Sequence, residues 1–298
     1  MYPSPFEYYR ANSIEEALDL LEEHADEEVE MIAGGHSLLP TMKSGLASPD
    51  VLIDIGHIDE MQGIERGEDA TTFGALTNYV DIADSDDAWA DCTALAEAAH
   101  AVGDVQVRNM GTLGGNLAHS DPASDLPAAA MASNATIHAQ GRDGSRTIDA
   151  DDFFMGMYMT ALEEDELLTA VEVPHLGEHD VGAYAKKPSP SSGYAMVGVA
   201  AVLETDGETI ESASVAANGA LDHATRLEPV EDALAGEPLE ESTAEMAGEH
   251  ATDDIDTFMM MDDLQASNEF RAQLLRVYTK RALSTAIERV GATALAAD

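Results

Sequence analysis

Two glycine pairs about eighty residues apart, Gly34-Gly35 and Gly114-Gly115, constrain this chain more than any other feature. The first lies in Ala33-Gly34-Gly35-His36-Ser37-Leu38-Leu39-Pro40, after a short run, Val29 to Ala33, that reads as a strand. The second lies in Gly111-Thr112-Leu113-Gly114-Gly115-Asn116-Leu117. Paired glycines permit turns with positive φ and let backbone N–H groups approach a ligand with no Cβ in the way. Successive amides in such turns form anion-binding nests that suit a pyrophosphate. Pro40 fits the opening of a short helix, Leu38 to Ser44, whose N-terminal dipole adds to the attraction. Ser37 and Thr112 supply hydroxyls and Asn116 an amide, none of which adds negative charge beside phosphates. Neither segment is the G-x-G-x-x-G of a Rossmann site or the G-x-x-x-x-G-K-[ST] of a nucleotide-phosphate loop. A lone Gly-Gly pair is usually a plain turn; the occurrence of both is what points to a ligand.

The rest of the chain supplies alternating strands and helices. Ser13-Ile14-Glu15-Glu16 is a capping-box pattern that opens a helix with Ala17, Leu18 and Leu21 on one face. Val51 to Ile55 and Thr71 to Leu76 read as strands, with Thr77 a cap for the helix that follows. Cys92 to Val102 and Asp125 to Ala132 read as helices, and Thr136 to Ala139 and Glu166 to Val173 as strands. Between Leu176 and Gly193 the pattern breaks into Gly, Pro and Ser, which marks a domain boundary. Ala195 to Leu203 and Thr209 to Ala217 then read as a hairpin joined through Asp206-Gly207. Beyond it the chain is mainly helical. Asn268 is placed to cap a last helix, Glu269 to Val290, with Phe270, Leu274, Val277 and Tyr278 on its apolar side. That helix carries Arg271, Arg276, Lys280, Arg281 and Arg289, five of the fourteen basic residues; they either pair with acidic surroundings or meet a partner subunit. The fold class is α+β in two domains, 1–176 and 177–298.

Charge excludes several functions. Fifty-eight acidic residues face fourteen basic ones, for a formal charge of −44, and the lysines are Lys43, Lys186, Lys187 and Lys280 alone. Such a surface repels nucleic-acid phosphate and anionic lipid. The acidic residues spread over the whole length, which favours a solvated surface adapted to concentrated salt, where the Debye length falls to ~3 Å at 1 M. An acidic docking surface for a basic partner is the alternative. No run of eighteen apolar residues occurs, and Met1 to Glu7 lacks a signal-like pattern, so a cytoplasmic protein without a transmembrane segment is expected. The single cysteine, Cys92, rules out an intrachain disulfide and an iron–sulfur cluster held by this chain alone. Its setting reads as a helix flank and a small semi-buried residue.

The strings A-G-G-H-S-L-L-P, ending at Pro40, and R-N-x-G-T-L-G-G-N-L-A-H-x-D-P-A-S-D-L-P, from Arg108 to Pro127, resemble the FAD-binding medium subunit of aerobic carbon monoxide dehydrogenases. That family belongs with the xanthine dehydrogenase-like molybdenum hydroxylases. The similarity continues through Glu166-Leu167-Leu168 and Ala195 to Ala200, and ends in Phe270-Arg271 and Lys280-Arg281-Ala282-Leu283. It implies an N-terminal FAD-binding domain of the vanillyl-alcohol-oxidase-like (PCMH) kind, made of two α/β subdomains, and a small C-terminal α+β domain. The family's pyrophosphate cradle falls on Ala33, Gly34, Gly35, His36 and Ser37 and on Thr112, Leu113, Gly114, Gly115 and Asn116. An acidic residue that approaches the adenosine ribose in relatives matches Asp125, which is also placed to cap the helix it precedes. A basic residue near the flavin matches Lys186, and Tyr184 stands close to where an aromatic ring meets the isoalloxazine. The Lys187-to-Gly193 loop departs from the family: it is rich in Pro and Ser where many relatives carry basic residues.

The resemblance also implies a division of labour. A large subunit would hold the molybdenum cofactor and oxidise substrate, a small one would carry two [2Fe–2S] clusters, and this chain would pass electrons from its FAD to quinone, NAD or another acceptor. The assembly implied is a dimer of heterotrimers. Other chemistry is weak. His175 and His179 have a ligand-like spacing without a nearby third ligand, and His119-Ser120-Asp121 lacks a nucleophile elbow; His119 and Asp121 read better as lining the second glycine segment. No catalytic residue and no metal site are assigned. A self-contained FAD oxidase or reductase, needing its own general acid or base, and a non-enzymatic acidic scaffold are the rival readings.

Overall fold

A short parallel sheet receives the N-terminal strand. In the computed structural model, which describes residues 2–297 and side chains through residue 290, β1 (Glu7–Arg10), α1 (Ile14–Glu23), β2 (Val29–Ile32), α2 (Leu38–Ser44) and β3 (Val51–Asp54) form one layer. Its strand order is β1-β3-β2, with both pairings parallel. Ser13 caps α1 by accepting from the Glu16 amide at 3.1 Å. The Glu16 carboxylate reaches one residue further back than a capping box requires, to the Asn12 amide at 2.8 Å.

The second layer is an antiparallel sheet with helices gathered on it. Its elements are β4 (Ile64–Arg66), β5 (Ala70–Gly74), α3 (Tyr79–Ala83), α4 (Asp86–Asp91), α5 (Thr93–Ala101), α6 (Val105–Arg108), α7 (Leu113–His119) and α8 (Leu126–Ala132). There follow β6 (Thr136–Gly141), β7 (Gly144–Asp149), α9 (Ala150–Phe153), β8 (Phe154–Gly156), β9 (Met159–Thr160) and β10 (Leu167–Pro174). The five-stranded order is β4-β5-β10-β6-β7. Thr77 caps no helix: its hydroxyl donates to the Gly63 carbonyl at 2.8 Å, and Asn78 precedes α3. Cys92 joins α4 to α5 and is fully buried, not semi-buried, and burial pushes its thiol up to about 12.

The segment from 176 to 193 contains a strand that its Gly, Pro and Ser residues conceal. β11 (Val181–Pro188) pairs with β12 (Ala195–Thr205), which pairs with β13 (Ile210–Asn218), and β14 (Thr225–Arg226) closes the edge. The β12–β13 hairpin turns at Asp206-Gly207, with Gly207 at φ 92°. This sheet is buried on both faces. Tyr184, Ala200 and Ala216 join the core of the N-terminal layers, whereas Ala183, Val199, Ala201, Val215 and Ala217 pack under the C-terminal helices. The period of two sends alternate residues to opposite cores. Approach to α5 is close: a Cβ on Gly182 would sit 3.0 Å from the Ala94 nitrogen.

The C-terminal helices are α10 (Glu228–Leu234), α11 (Glu241–Glu249) and α12 (Asn268–Ala297). Ser267 caps α12, accepting from the Phe270 amide at 3.3 Å, while the Asn268 side chain accepts from Glu269. The buried face of α12 runs through Leu274, Leu275, Tyr278, Ala282, Leu283, Ala286 and Ile287. Phe270 and Val277 are exposed, contrary to the face expected for them; they lie one position off that stripe, because 3.6 residues per turn carries them round to the outer side. Three of the five basic residues of this helix pair with carboxylates, while Arg276 donates to the Thr252 hydroxyl and Arg281 to that of Tyr278. Arg271 binds Asp263, Lys280 binds Glu241 and Glu245, and Arg289 binds Glu97. Among the described residues no helix is long and apolar enough to cross a membrane.

Candidate cofactor-binding site

The first glycine segment lies where β2 runs out at the carboxyl end of the parallel sheet, a position that favours ligands in such sheets. Gly35 takes φ 70°, and the chain turns into α2. Among the described residues, the amides of Gly34, Gly35, His36 and Ser37 donate to no protein acceptor. Four donors in sequence with no acceptor, in partly buried backbone, need one from outside. They are left available to an acceptor from outside the chain.

The second segment is built differently. The Leu113 amide donates to the Thr77 carbonyl at 3.0 Å and the Gly114 amide to Ala75 at 2.8 Å. The Gly115 amide is capped by the Thr112 hydroxyl at 3.3 Å, and the Asn116 amide bonds to the Thr112 carbonyl. Four of its donors are therefore consumed inside the protein, and the expected second amide nest does not form. Its glycines serve close backbone packing instead. A Cβ on Gly114 would sit 2.5 Å from the Ala75 Cβ, and one on Gly34 would sit 2.1 Å from the Met110 carbonyl oxygen. The two segments thus touch backbone to backbone, the second buttressing the first. The Asn116 amide group faces the site, held by the Tyr79 hydroxyl at 2.9 Å and by Ser124 at 2.8 Å.

Between them opens a cavity of about 520 Å³, within the usual range for small-ligand sites. Ala33, Gly34, Gly35, His36, Ser37, Thr112, Gly114, Gly115 and Asn116 line it. Leu113, Asp125 and Lys186 do not. Leu113 points into the core with no exposure. Asp125 and Lys186 are buried in an ion pair of 2.7 Å behind the cavity wall. The Asp125 side chain makes no helix-cap bond either. Tyr184, expected beside a flavin ring, is buried with its hydroxyl donating to Asp125 at 2.6 Å. Asp121 bonds the Ala123 amide, and His175 bonds Thr71 at 3.0 Å.

Two cavity residues carried no sequence signal of their role. Tyr79 reads as an ordinary helix aromatic, but its hydroxyl orients Asn116, and burial pushes its pKa up. Tyr158, held at φ 57°, stacks on His119 with ring centroids 5.0 Å apart. Burial lowers the His119 pKa, so that imidazole is neutral near pH 7. Among the described residues no lysine or arginine lines the cavity, whereas Glu30, Glu163, Glu164 and Glu166 do.

Residues 4–176 match the family described as the FAD binding domain in molybdopterin dehydrogenase. The chain belongs to this family. Residues 182–286 match the CO dehydrogenase flavoprotein C-terminal domain. The chain is 35% identical to the carbon monoxide dehydrogenase medium chain of Hydrogenophaga pseudoflava, covering 97% of this chain and 99% of that one. It is 34% identical to the glyceraldehyde dehydrogenase medium chain of Sulfolobus acidocaldarius, covering 95% and 98%. Among solved structures it is similar to the carbon monoxide dehydrogenase of H. pseudoflava that lacks the Mo-pyranopterin moiety, with TM-score 0.91, 36% identity and coverage of 97% and 99%. Quinoline 2-oxidoreductase from Pseudomonas putida 86 matches with TM-score 0.89, 29% identity and coverage of 97% and 99%. The chain is thus an FAD-dependent oxidoreductase subunit of the medium-chain kind, and the expected fold of an FAD-binding domain with a flavoprotein C-terminal domain holds.

Proposed function

We propose that this chain is the electron exit of a molybdenum hydroxylase, holding FAD in the cavity between its two glycine segments. The observation that carries the site is the row of four unspent amides at Gly34, Gly35, His36 and Ser37 on the cavity wall. They would receive the pyrophosphate, with Thr112, Gly115 and Asn116 on the facing wall. Leu21, Ile55, Leu76 and Leu168 line the same cavity and would exclude water. When bound, FAD supplies the redox chemistry, and the protein supplies position and exclusion of side reactions.

The lone buried Cys92 cannot hold an iron–sulfur cluster. Electrons would therefore arrive from the [2Fe–2S] subunit, and the molybdenum subunit would choose the substrate. A dimer of such heterotrimers, working in the cytoplasm, and a division of this chain at 176 into two domains belong to the same reading. The division is supported by two hydrophobic cores, one dominated by residues before 176 and the other made of residues after it.

The isolated chain loaded with FAD should leave it oxidised in the presence of carbon monoxide, aldehydes or purines. Adding the iron–sulfur and molybdenum subunits should allow reduction by the complex's own substrate. Bleaching of the flavin band by one of these compounds in the isolated chain would sink the reading and favour a self-contained oxidase. A chain that acquires no flavin absorbance when FAD is supplied would favour an acidic scaffold.

Concentrated salt is the proposed working medium. A charge of −44 opposes compaction, and arginines such as Arg66, Arg226 and Arg271 are spent on internal pairs. Salt should relieve the remaining carboxylate repulsion, so the melting temperature is expected to rise as potassium chloride increases from ~0.1 M to molar levels. A flat or falling melting temperature would overturn this.

A further inference from the structure

The cavity that carries the row of unbonded amides also has an acidic side. Glu30 on β2, and Glu163, Glu164 and Glu166 in the segment between β9 and β10, line it from two directions. Glu166 is compensated. The Arg146 guanidinium forks onto its two carboxylate oxygens at 2.7 Å each, and the Glu163 amide donates to one of them at 2.9 Å. The same guanidinium donates to the Ala161 carbonyl at 2.7 Å, which holds the segment in place. Glu163 lies in the field of Arg146 without pairing with it. Among the described residues, Glu30, Glu163 and Glu164 belong to no ion pair.

Salt decides how strongly these carboxylates act on a bound anion. Glu30 precedes Gly34 by four residues, at most about 13 Å along an extended chain. A phosphate held at Gly34 to Ser37 is therefore about one Debye length from Glu30 in dilute buffer, ~10 Å at 0.1 M. At 1 M that length is ~3 Å, and the repulsion is screened out. In dilute buffer the low-dielectric walls of a cleft focus the field, and the chain's charge of −44 adds to it. Backbone amides respond differently. Their attraction acts at hydrogen-bond distance, about 3 Å, where no mobile ion fits between the partners. Salt thus removes the repulsion and leaves the attraction. Phosphate contacts made by lysine or arginine follow the opposite trend and weaken as salt rises.

We propose that Glu30, Glu163 and Glu164 make cofactor uptake salt-dependent, so that the cavity holds a diphosphate ligand tightly only in concentrated salt. The proposal rests on the FAD reading of the cavity. It concerns affinity for the cofactor and is separate from the effect of salt on the fold.

The test is fluorescence titration of the full chain with FAD between about 0.1 M and 2 M potassium chloride. Sucrose, an uncharged osmolyte, keeps the chain folded at the dilute end, and circular dichroism checks this at each concentration. Wild-type affinity should rise roughly tenfold over the range, the size expected of a few charges about 10 Å away in a partly aqueous medium. The triple variant Glu30→Gln, Glu163→Gln, Glu164→Gln should bind FAD about tenfold more tightly than wild type in dilute buffer and equally well at the upper limit. A matched triple, Glu211→Gln, Glu249→Gln, Asp254→Asn, removes as many exposed carboxylates from the C-terminal half and should keep the wild-type salt dependence. Wild-type affinity that falls with salt would overturn the proposal, because a side-chain cation would then outweigh the carboxylates. A wild-type slope retained in the cavity variant would overturn it too, by assigning the effect to overall charge or to the fold. A folded wild-type chain that takes up no FAD at any salt concentration would instead refute the cavity reading itself, and the proposal with it.

Discussion

Replacing Gly115 with valine is expected to abolish FAD retention in a chain that still folds, whereas valine at Gly34 or Gly114 is expected to damage the fold as well. All three glycines line the cavity, but the space where their side chains would go is filled by different atoms. At Gly34 the first obstacle is the Met110 carbonyl at 2.1 Å, and at Gly114 it is the Ala75 Cβ at 2.5 Å with its Cα at 2.8 Å. Backbone cannot step aside, so either change should cost about 3 kcal/mol or more, as overpacking of a tight contact does. At Gly115 the nearest atom is the Thr112 hydroxyl oxygen at 2.7 Å, followed by the Ala33 Cβ at 3.5 Å. The hydroxyl can rotate away for the loss of one helix cap, about 1 kcal/mol. The valine methyls would then project between Ala33 and Thr112, both cavity-lining. A loss of affinity of at least ~100-fold, or about 2.7 kcal/mol, is expected. Titration with FAD, beside a thermal melt of each FAD-free variant, separates the cases. Unchanged FAD affinity in a folded Gly115→Val variant would remove the cavity from the cofactor site.

Arg271→Met is expected to be the most destabilising single change in the C-terminal half. Arg271 is 2% exposed, and its guanidinium joins three segments. One nitrogen donates to the Met196 carbonyl at 2.5 Å and to the Gly219 carbonyl at 2.6 Å, and the other meets Asp263 at 2.7 Å. These acceptors lie at the start of β12, just past the end of β13, and in the loop before α12. Methionine keeps the volume but takes this donor from two carbonyls and from one oxygen of Asp263, whose other oxygen still accepts from the Gln265 and Ala266 amides. Removing one partner of such a buried set costs roughly 3–5 kcal/mol. That corresponds to a fall in melting temperature on the order of 10 °C for a domain of this size. Lysine should recover only part of this, because a single ammonium cannot span three acceptors in a plane. A melt within about 2 °C of wild type for Arg271→Met would show that the three segments are held by other contacts.

Much of the architecture was legible because local chemistry and global packing agree. The α2 helix spans the expected Leu38 to Ser44, and the Asp206-Gly207 turn joins the two longest C-terminal strands. Strand β12 announces itself through Ala195 to Leu203, an apolar run with no polar face, as a strand buried on both sides must. β11 was hidden because Gly182 sits inside it and Gly, Pro and Ser residues flank its apolar core. The glycine is there for contact with α5, a requirement set by a helix almost ninety residues earlier. β7 escaped for the opposite reason: this edge strand is mostly exposed, with Ile148 as its one buried side chain. The apolar side of α12 was misassigned because Phe270 and Val277 are large and apolar, yet geometry turns them to solvent.

The sequence by itself pointed to two glycine segments acting together and, through them, to a phosphate-bearing cofactor. Each segment carries its own turn chemistry, and the acidic surplus makes any local absence of carboxylates conspicuous. Only the tertiary structure decided which backbone donors are free. The amides of Leu113 and Gly114 are spent on Thr77 and Ala75, carbonyls nearly forty residues away, while those of Gly34 to Ser37 meet no such neighbour. It also decided that Asp125 and Lys186 face each other and not the cavity. Whether a polar group is available to a ligand depends on which other groups folding brings within about 3 Å of it, and that is a property of the assembled chain.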